Sequence, residues 1–215
     1  MGVLGDAFSN MLYAIDMDGL KHPIFYRMPI AIRFEIGGEE KVYLQISEDG
    51  CIVNPAYVSE ALNRAKTLYE NLPQTPNVLR IDGYTEDEND VWAVISSICK
   101  MAEMPIPQEQ IVQLYQIDDD TTIFQVQCYW DLADLVCSYN DLLKKIIEAD
   151  IGGYCELASN VYFADTKNMV LFHLYDDRGA DIAGADKEML KRLFVEFNHW
   201  ILEYDRAKIN SIFGE

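Results

Sequence analysis

The sequence predicts an α+β domain: a mostly antiparallel sheet of about five to seven strands built from hairpins, with helices packed mainly on one face and a long C-terminal helix. Three observations lead there. Runs rich in β-branched and aromatic residues come in neighbouring pairs, the pattern of hairpins. Apolar stripes at three-and-four spacing fall between these pairs, which marks helices inserted among hairpins. A last stripe begins near Lys187 and carries on towards the end of the chain. A doubly wound parallel sheet would instead need strand and helix to alternate throughout.

Residues 6–17 place Phe8, Met11, Leu12 and Ile15 on one helical face, and Asp18-Gly19 ends that helix. The next run alternates Ile30, Ile32, Phe34 and Ile36 with Ala31, Arg33 and Glu35, then crosses Gly37-Gly38. It predicts a hairpin with strands over 30–36 and 41–46. Asn54 followed by Pro55 reads as a cap and a first-turn proline. The stripe Val58, Ala61, Leu62, Ala65, Leu68, Tyr69 and Leu72 then makes a helix that Pro73 stops.

Residues 77–84 form a strand, and Thr85 with Glu88 reads as a capping box for a helix carrying Trp92, Ile95, Ile98, Cys99 and Ala102. Pro105 and Pro107 close it. The runs 110–117 and 121–130 pair about an acidic turn at Asp118, Asp119 and Asp120. A short helix around Leu142, Leu143, Ile146 and Ile147 ends at Gly152-Gly153, and a further hairpin turns between Asp165 and Asn168. In the last helix Leu190, Leu193, Phe194, Phe197, Ile201 and Tyr204 face the core. The sequence reads as one domain over 1–215, with a weak seam at 103–110.

Thirty-six acidic residues against 17 basic ones leave a formal charge of -19, which repels free nucleic acid and anionic membrane surfaces. The partner such a charge favours is another protein, and a basic one. No run of apolar residues is long enough for a membrane span, and the N-terminus lacks a secretory pattern, so a cytoplasmic protein is expected. The five cysteines are odd in number, widely spaced and without a Cys-X-X-Cys pair, which fits reduced, mostly buried thiols. Cys137, just before Ser138 at a helix start, is the one cysteine placed for nucleophilic chemistry, and buried filler is its plainer role. His22 and His199 are too isolated to form a ligand spacing. The hydrolase, zinc-protease and nucleotide-loop motifs are missing from the sequence, and no cofactor is implied.

The densest polar constellation is Asp176-Asp177-Arg178-Gly179, at the end of a strand. Its carboxylates can hold a hard divalent cation, with Arg178 pairing a phosphate or an internal acid. Its other reading is a turn in which an aspartate caps backbone amides, Arg178 bridges to a carboxylate and Gly179 supplies a positive φ. His173, on the strand before it, can shuttle a proton or bind a metal, or simply pack. Arg33 and Glu35 share one side of the first strand and can reach this turn across the sheet. They either join a buried ion-pair network, or Glu35, Asp176 and Asp177 converge as oxygen ligands.

The run from Tyr175 to Gly179 and the Trp-Ile-Leu-X-Tyr-Asp-Arg run from Trp200 to Arg206 resemble the C-terminal signature of an uncharacterised bacterial family, a domain of unknown function. The stretch from Ile24 through Pro29–Glu35 to Asn54-Pro55 resembles that family's opening block, while residues 73–135 match it in order of elements. The resemblance implies a bacterial origin and one intact domain, and no activity.

The sequence therefore supports two specific kinds of function beside a third, purely structural role as part of a larger assembly. One is a non-enzymatic acidic protein-binding domain, of the immunity or antitoxin kind. The other is a metal-assisted hydrolase built on Asp176 and Asp177.

Overall fold

The computed structural model describes residues 2–17, 19–20, 23–47, 50–116, 121–135, 138–151, 157 and 160–214. At its centre lies a seven-stranded sheet in which every neighbouring pair is antiparallel. In spatial order the strands are β1 (Ala31–Glu35), β9 (Gly179–Gly184), β8 (Val170–Leu174), β7 (Val161–Asp165), β4 (Val78–Thr85), β6 (Thr122–Asp131) and β5 (Glu109–Gln116). A separate two-stranded ribbon pairs β2 (Tyr43–Ser47) with β3 (Gly50–Val53). Among the described residues seven helices accompany them: α1 (Val3–Ala14), α2 (Ile24–Arg27), α3 (Pro55–Glu70), α4 (Val91–Ala102), α5 (Tyr139–Asp150), α6 (Lys187–Glu196) and α7 (Glu203–Phe213). The α+β class and the antiparallel sheet expected from the sequence are both present. Among the described residues no helix is long and apolar enough to cross a membrane.

Strand side chains alternate between faces, so register assigns the layers. Leu79, Phe163, Phe172 and Ile182 sit opposite one another across four strands and define the apolar face. The longer helices cover it. Tyr69 of α3 meets Phe163 and Phe172 edge-on and stacks on Tyr139 of α5, and Leu190 of α6 packs at Gly184. Helix α4 comes so close that a Cβ at Gly83 would strike Val94, which is why glycine stands there. The opposite face carries α1 at the β5–β6 end and α2 at the β1–β9 end. Every residue of β7, β8 and β9 is buried, whereas β5 is mostly exposed.

The caps follow local chemistry. Asn54 accepts from the Ala56 amide, Ser138 from Asp141 and Asp186 from Glu188, as N-caps do. The Thr85–Glu88 capping box is not formed. The Thr85 hydroxyl accepts from the Asp87 amide, Asp87 then caps a 3-10 turn at 88–90, and α4 starts at Val91.

The first expected hairpin is also re-paired. Residues 43–47 join 50–53, and β1 pairs with β9. The reason lies in what each strand must bury: Ala31, Ile32 and Phe34 are inaccessible to solvent, while Leu44, Gln45 and Ile46 are exposed. Strand β9 replaces the turn read at its N-terminal end; its sequence Gly-Ala-Asp-Ile-Ala-Gly lacks a β-forming pattern, and its small residues let layers pack closely on both sides. The C-terminal helical segment is present but divided between α6 and α7 by a 3-10 turn at 198–200. Arg206 holds the break by donating to Asn198 Oδ1 at 2.8 Å and to the Ile201 carbonyl at 2.7 Å. The turns at Asp118–Asp120 and Gly152-Gly153, together with His22, Cys137 and Cys155, lie outside the described residues.

Candidate functional site

A single transverse row crosses all seven strands on the face opposite α3–α6. Through the register, and with His173 stacked on Tyr162 between β8 and β7, it runs Arg33, Asp181, His173, Tyr162, Arg80, Tyr129 and Glu109. Polar and aromatic side chains thus occupy the one line that α1 and α2 cover at its two ends.

At one end Arg33 donates from Nε to Asp181 Oδ1 at 2.7 Å and from Nη2 to Oδ2 at 2.9 Å. Its guanidinium also lies about 5 Å from the rings of Phe25, Tyr26 and Tyr175. The Phe25 amide donates to the same Asp181 carboxylate, so this pair fixes α2 to the sheet. His173 is fully buried and stacks on Tyr162 with ring centres 4.8 Å apart. In the middle, Arg80 grips Asp82 through two bonds of 2.7 and 2.8 Å beneath Phe8, Tyr129 and Tyr162. Burial alone would depress both guanidinium pKa values, yet the paired aspartates hold them above the ordinary arginine range. Burial pushes Tyr129 up to about 12 and Tyr162 higher still. At the far end the Glu109 carboxylate accepts from the amides of Gly2, Leu4 and Gly5 at 2.8, 2.9 and 3.2 Å, capping α1 from another element.

Beside this row an open-sided cleft of about 1210 Å³ lies between the second half of α1 and the distal parts of β4, β6 and β5. Its floor is one hydrogen-bonded chain. Tyr129 donates to Gln127, Gln127 to Gln125, and Gln125 to both Asp82 Oδ2 and the Tyr84 hydroxyl. The Tyr115 hydroxyl lies 2.7 Å from Gln113 Oε1 and 3.1 Å from Gln125 Oε1. Leu12, Tyr13, Met17 and Leu20 supply an apolar wall. Arg80, the cation among the described lining residues, is already neutralised by Asp82, so the floor favours uncharged hydrogen-bonding groups over anions.

The turn singled out in the sequence lies past the end of β8. Asp176 is buried and accepts from the Arg178 amide at 2.8 Å and from the Arg178 guanidinium, whose side chain is otherwise exposed. Asp177 is buried too, and Tyr57 of α3 donates to its Oδ2 at 2.5 Å. The third carboxylate is Asp150 at the end of α5: one oxygen from each of Asp150, Asp176 and Asp177 lies within 4.8 Å of the others. Burial, together with Asp176 and Asp150, raises the Asp177 pKa above the ordinary carboxylate range, while the Tyr57 bond works against the rise. Among the described residues these three acids are the group best placed to hold a hard cation. Glu35 instead lies opposite Gly179 on β1, and Arg33 and His173 belong to the transverse row. Gly179 is required for space, since a Cβ there would strike the Tyr175 ring and press on the Phe34 carbonyl.

Sequence reasoning missed Asp150, Tyr57, Arg80 and Asp82. The Arg80-X-Asp82 spacing within a strand was a usable signal, because residues two apart share a face. Asp150 and Tyr57 carried none, because helix packing alone brings them to the turn. Cys128 behaves as filler, with burial pushing its thiol up to about 12, and burial also raises Cys99, whereas Cys51 is exposed.

These features define an antiparallel α+β protein with a covered polar row, an open cleft and an aspartate-rich turn. The chain belongs to the family described as a domain of unknown function, DUF3885, which matches residues 10–205. It is also similar to the uncharacterized protein YnaE of Bacillus subtilis (strain 168), at 30% identity over 53 residues, which is 25% of each chain. The match thus spans about a quarter of that relative's length. No solved structure matches the chain.

Proposed function

We propose that this is a bacterial, cytoplasmic, non-enzymatic domain that binds a basic protein, in the manner of an immunity or antitoxin factor. One observation carries the reading: the buried aspartates are held by partners inside the protein, while the remaining described acids lie at half-buried or exposed positions. The buried aspartates Asp82, Asp176, Asp177, Asp181 and Asp205 are held by Arg80, Arg178, Tyr57, Arg33 and Tyr26, and Asp165 binds its own turn. Every other described acid is half-buried or exposed, in a chain of net charge -19. Such a surface speeds encounter with a cationic partner. Cys51, Cys99 and Cys128 are unpaired, which supports a reducing compartment.

The test is to purify the protein with its partner from the cells that make it, and to measure association with the identified partner. The rate should fall by roughly tenfold or more between low and physiological salt, because a Debye length near 8 Å screens the surface charges. A salt-insensitive rate overturns the reading.

The convergence of Asp150 with Asp176 and Asp177 favours a second reading, a metal-assisted hydrolase. It requires a saturable rise in melting temperature with Mg²⁺, Mn²⁺, Ca²⁺ or Zn²⁺ that is lost in Asp176→Asn. It ranks second because Asp176 and Asp177 already have protein partners.

A further inference from the structure

We propose that β5 is the docking edge: an extended segment of the basic partner, uncharged along its strand and basic at its flanks, adds to the sheet as an eighth strand and drops alternate side chains into the cleft beside α1. This rests on the protein-binding reading and names its surface.

The two edges of the sheet are built differently. The β1 edge is masked. Helices α2 and α7 pack there, Lys208 donates to the Phe25 carbonyl, Tyr26 donates to Asp205, and Ile32 and Phe34 are wholly buried. Among the described residues β5 pairs with β6 alone, and Leu114 is 61% exposed. Its pairing runs from Glu109 opposite Tyr129 to Gln116 opposite Thr122 without a bulge. From Gln110 to Gln116 there is no charge, proline or glycine. Charge and proline are devices by which proteins blunt an edge, and their absence over residues 110–116 in so acidic a chain leaves a bare strand template.

The faces of β5 fit a strand ligand. Gln113 and Tyr115 point to the cleft, and Val112 and Leu114 to the other side. A strand added there would place every second side chain beside Gln113 and Tyr115 at the rim of the cleft, where polar or aromatic groups find amide and phenol partners, while its backbone bonds to β5. Charge sets the flanks. On the neighbouring β6, Asp131 lies past the Glu109 end, and on β4, two strands in from β5, Glu86, Asp87 and Glu88 follow Thr85, which is level with Phe124 and Leu114. A neutral strand bracketed by acids selects a neutral segment bracketed by bases.

The probe is a synthetic peptide of alternating threonine and valine with paired lysines at both ends, titrated into the full chain by calorimetry and by amide exchange. Binding should slow exchange of the amides of residues 110–116. Leu114→Lys, a change at an exposed site whose fold a thermal melt verifies, should weaken binding by roughly tenfold or more. Serines in place of the lysines should weaken it comparably, and N-methylation of alternate peptide amides should abolish it. No binding, protection elsewhere, equal binding by the N-methylated peptide, or indifference to Leu114→Lys overturns the proposal. So does sedimentation showing two copies already paired through β5 and separated by Leu114→Lys. A purified natural partner whose affinity ignores Leu114→Lys removes β5 while leaving the protein-binding reading intact. A salt-insensitive natural partner removes that reading instead.

Discussion

Arg33 on β1 and Asp181 on β9 stand directly opposite each other, and both guanidinium-to-carboxylate bonds are shorter than 3 Å, at 2.7 and 2.9 Å. Only about a tenth of the Arg33 side chain reaches solvent, against 1% for Asp181. Removing one partner leaves a charge that the site cannot solvate. Asp181→Asn should therefore lower unfolding free energy by about 3–5 kcal/mol in urea titration, whereas replacing both residues by apolar ones should restore most of it. A loss below about 1 kcal/mol, the worth of a surface pair, would mean the interior here is wetter than the geometry implies.

Glu109 and α1 make a more local case. The first turn of α1 has no cap of its own, and the carboxylate from β5 supplies it. Glu109→Gln keeps the size and removes the charge facing the helix dipole. It should cost about 1 kcal/mol, with faster amide exchange at Leu4 and Gly5 and little change in the central strands. Uniformly faster exchange would show that Glu109 supports the whole sheet.

Much of this architecture was legible because its signals are local. The Asn54-Pro55 start, the apolar stripe to Leu72 and the pairing of the β5 and β6 runs all depend on neighbours in sequence. What escaped depends on distant partners. β1 alternates cleanly, but nothing near it says that its partner is β9, some 150 residues on, reached through Arg33 and Asp181. β9 itself is glycine- and alanine-rich because layers press on it, and small residues read as a turn. At the candidate site the aspartate turn was visible as a cluster. Its third carboxylate, Asp150, and the Tyr57 hydroxyl arrive from helices placed by the core. The 3-10 break escaped for a related reason: the stripe from Leu190 to Tyr204 is continuous, and the helix is interrupted by Arg206 binding carbonyls on the preceding turn.

That break gives a further prediction. Arg206 donates to Asn198 Oδ1, the Asn198 carbonyl and the Ile201 carbonyl at once. A lysine keeps the charge but cannot satisfy three acceptors from one planar fork. Arg206→Lys should destabilise by about 1–3 kcal/mol in thermal or urea unfolding. An unchanged stability would mean that Phe197 and Trp200, stacked at 5.0 Å, hold the turn without it.

The last prediction concerns Asp177, where charge is crowded. Its pKa is raised by burial first, and then by Asp176 and Asp150. The folded protein therefore keeps a proton on this carboxyl at a pH where the unfolded chain has lost it. Stability contributed by this group is present below the unfolded carboxyl pKa, near 4, falls as pH rises through the folded value, and is flat above it. Asparagine at this position still accepts from the Tyr57 hydroxyl and removes the repulsion. Asp177→Asn should thus match the wild type in acid and exceed it at neutral pH, with the gap opening across the window in which the wild-type carboxyl ionises. Urea unfolding followed over a pH series reads this directly. A variant less stable than the wild type at neutral pH would mean that the ionised Asp177 is stabilising; if divalent cations widened that deficit, the aspartate cluster would be a cation site and the hydrolase reading would move ahead.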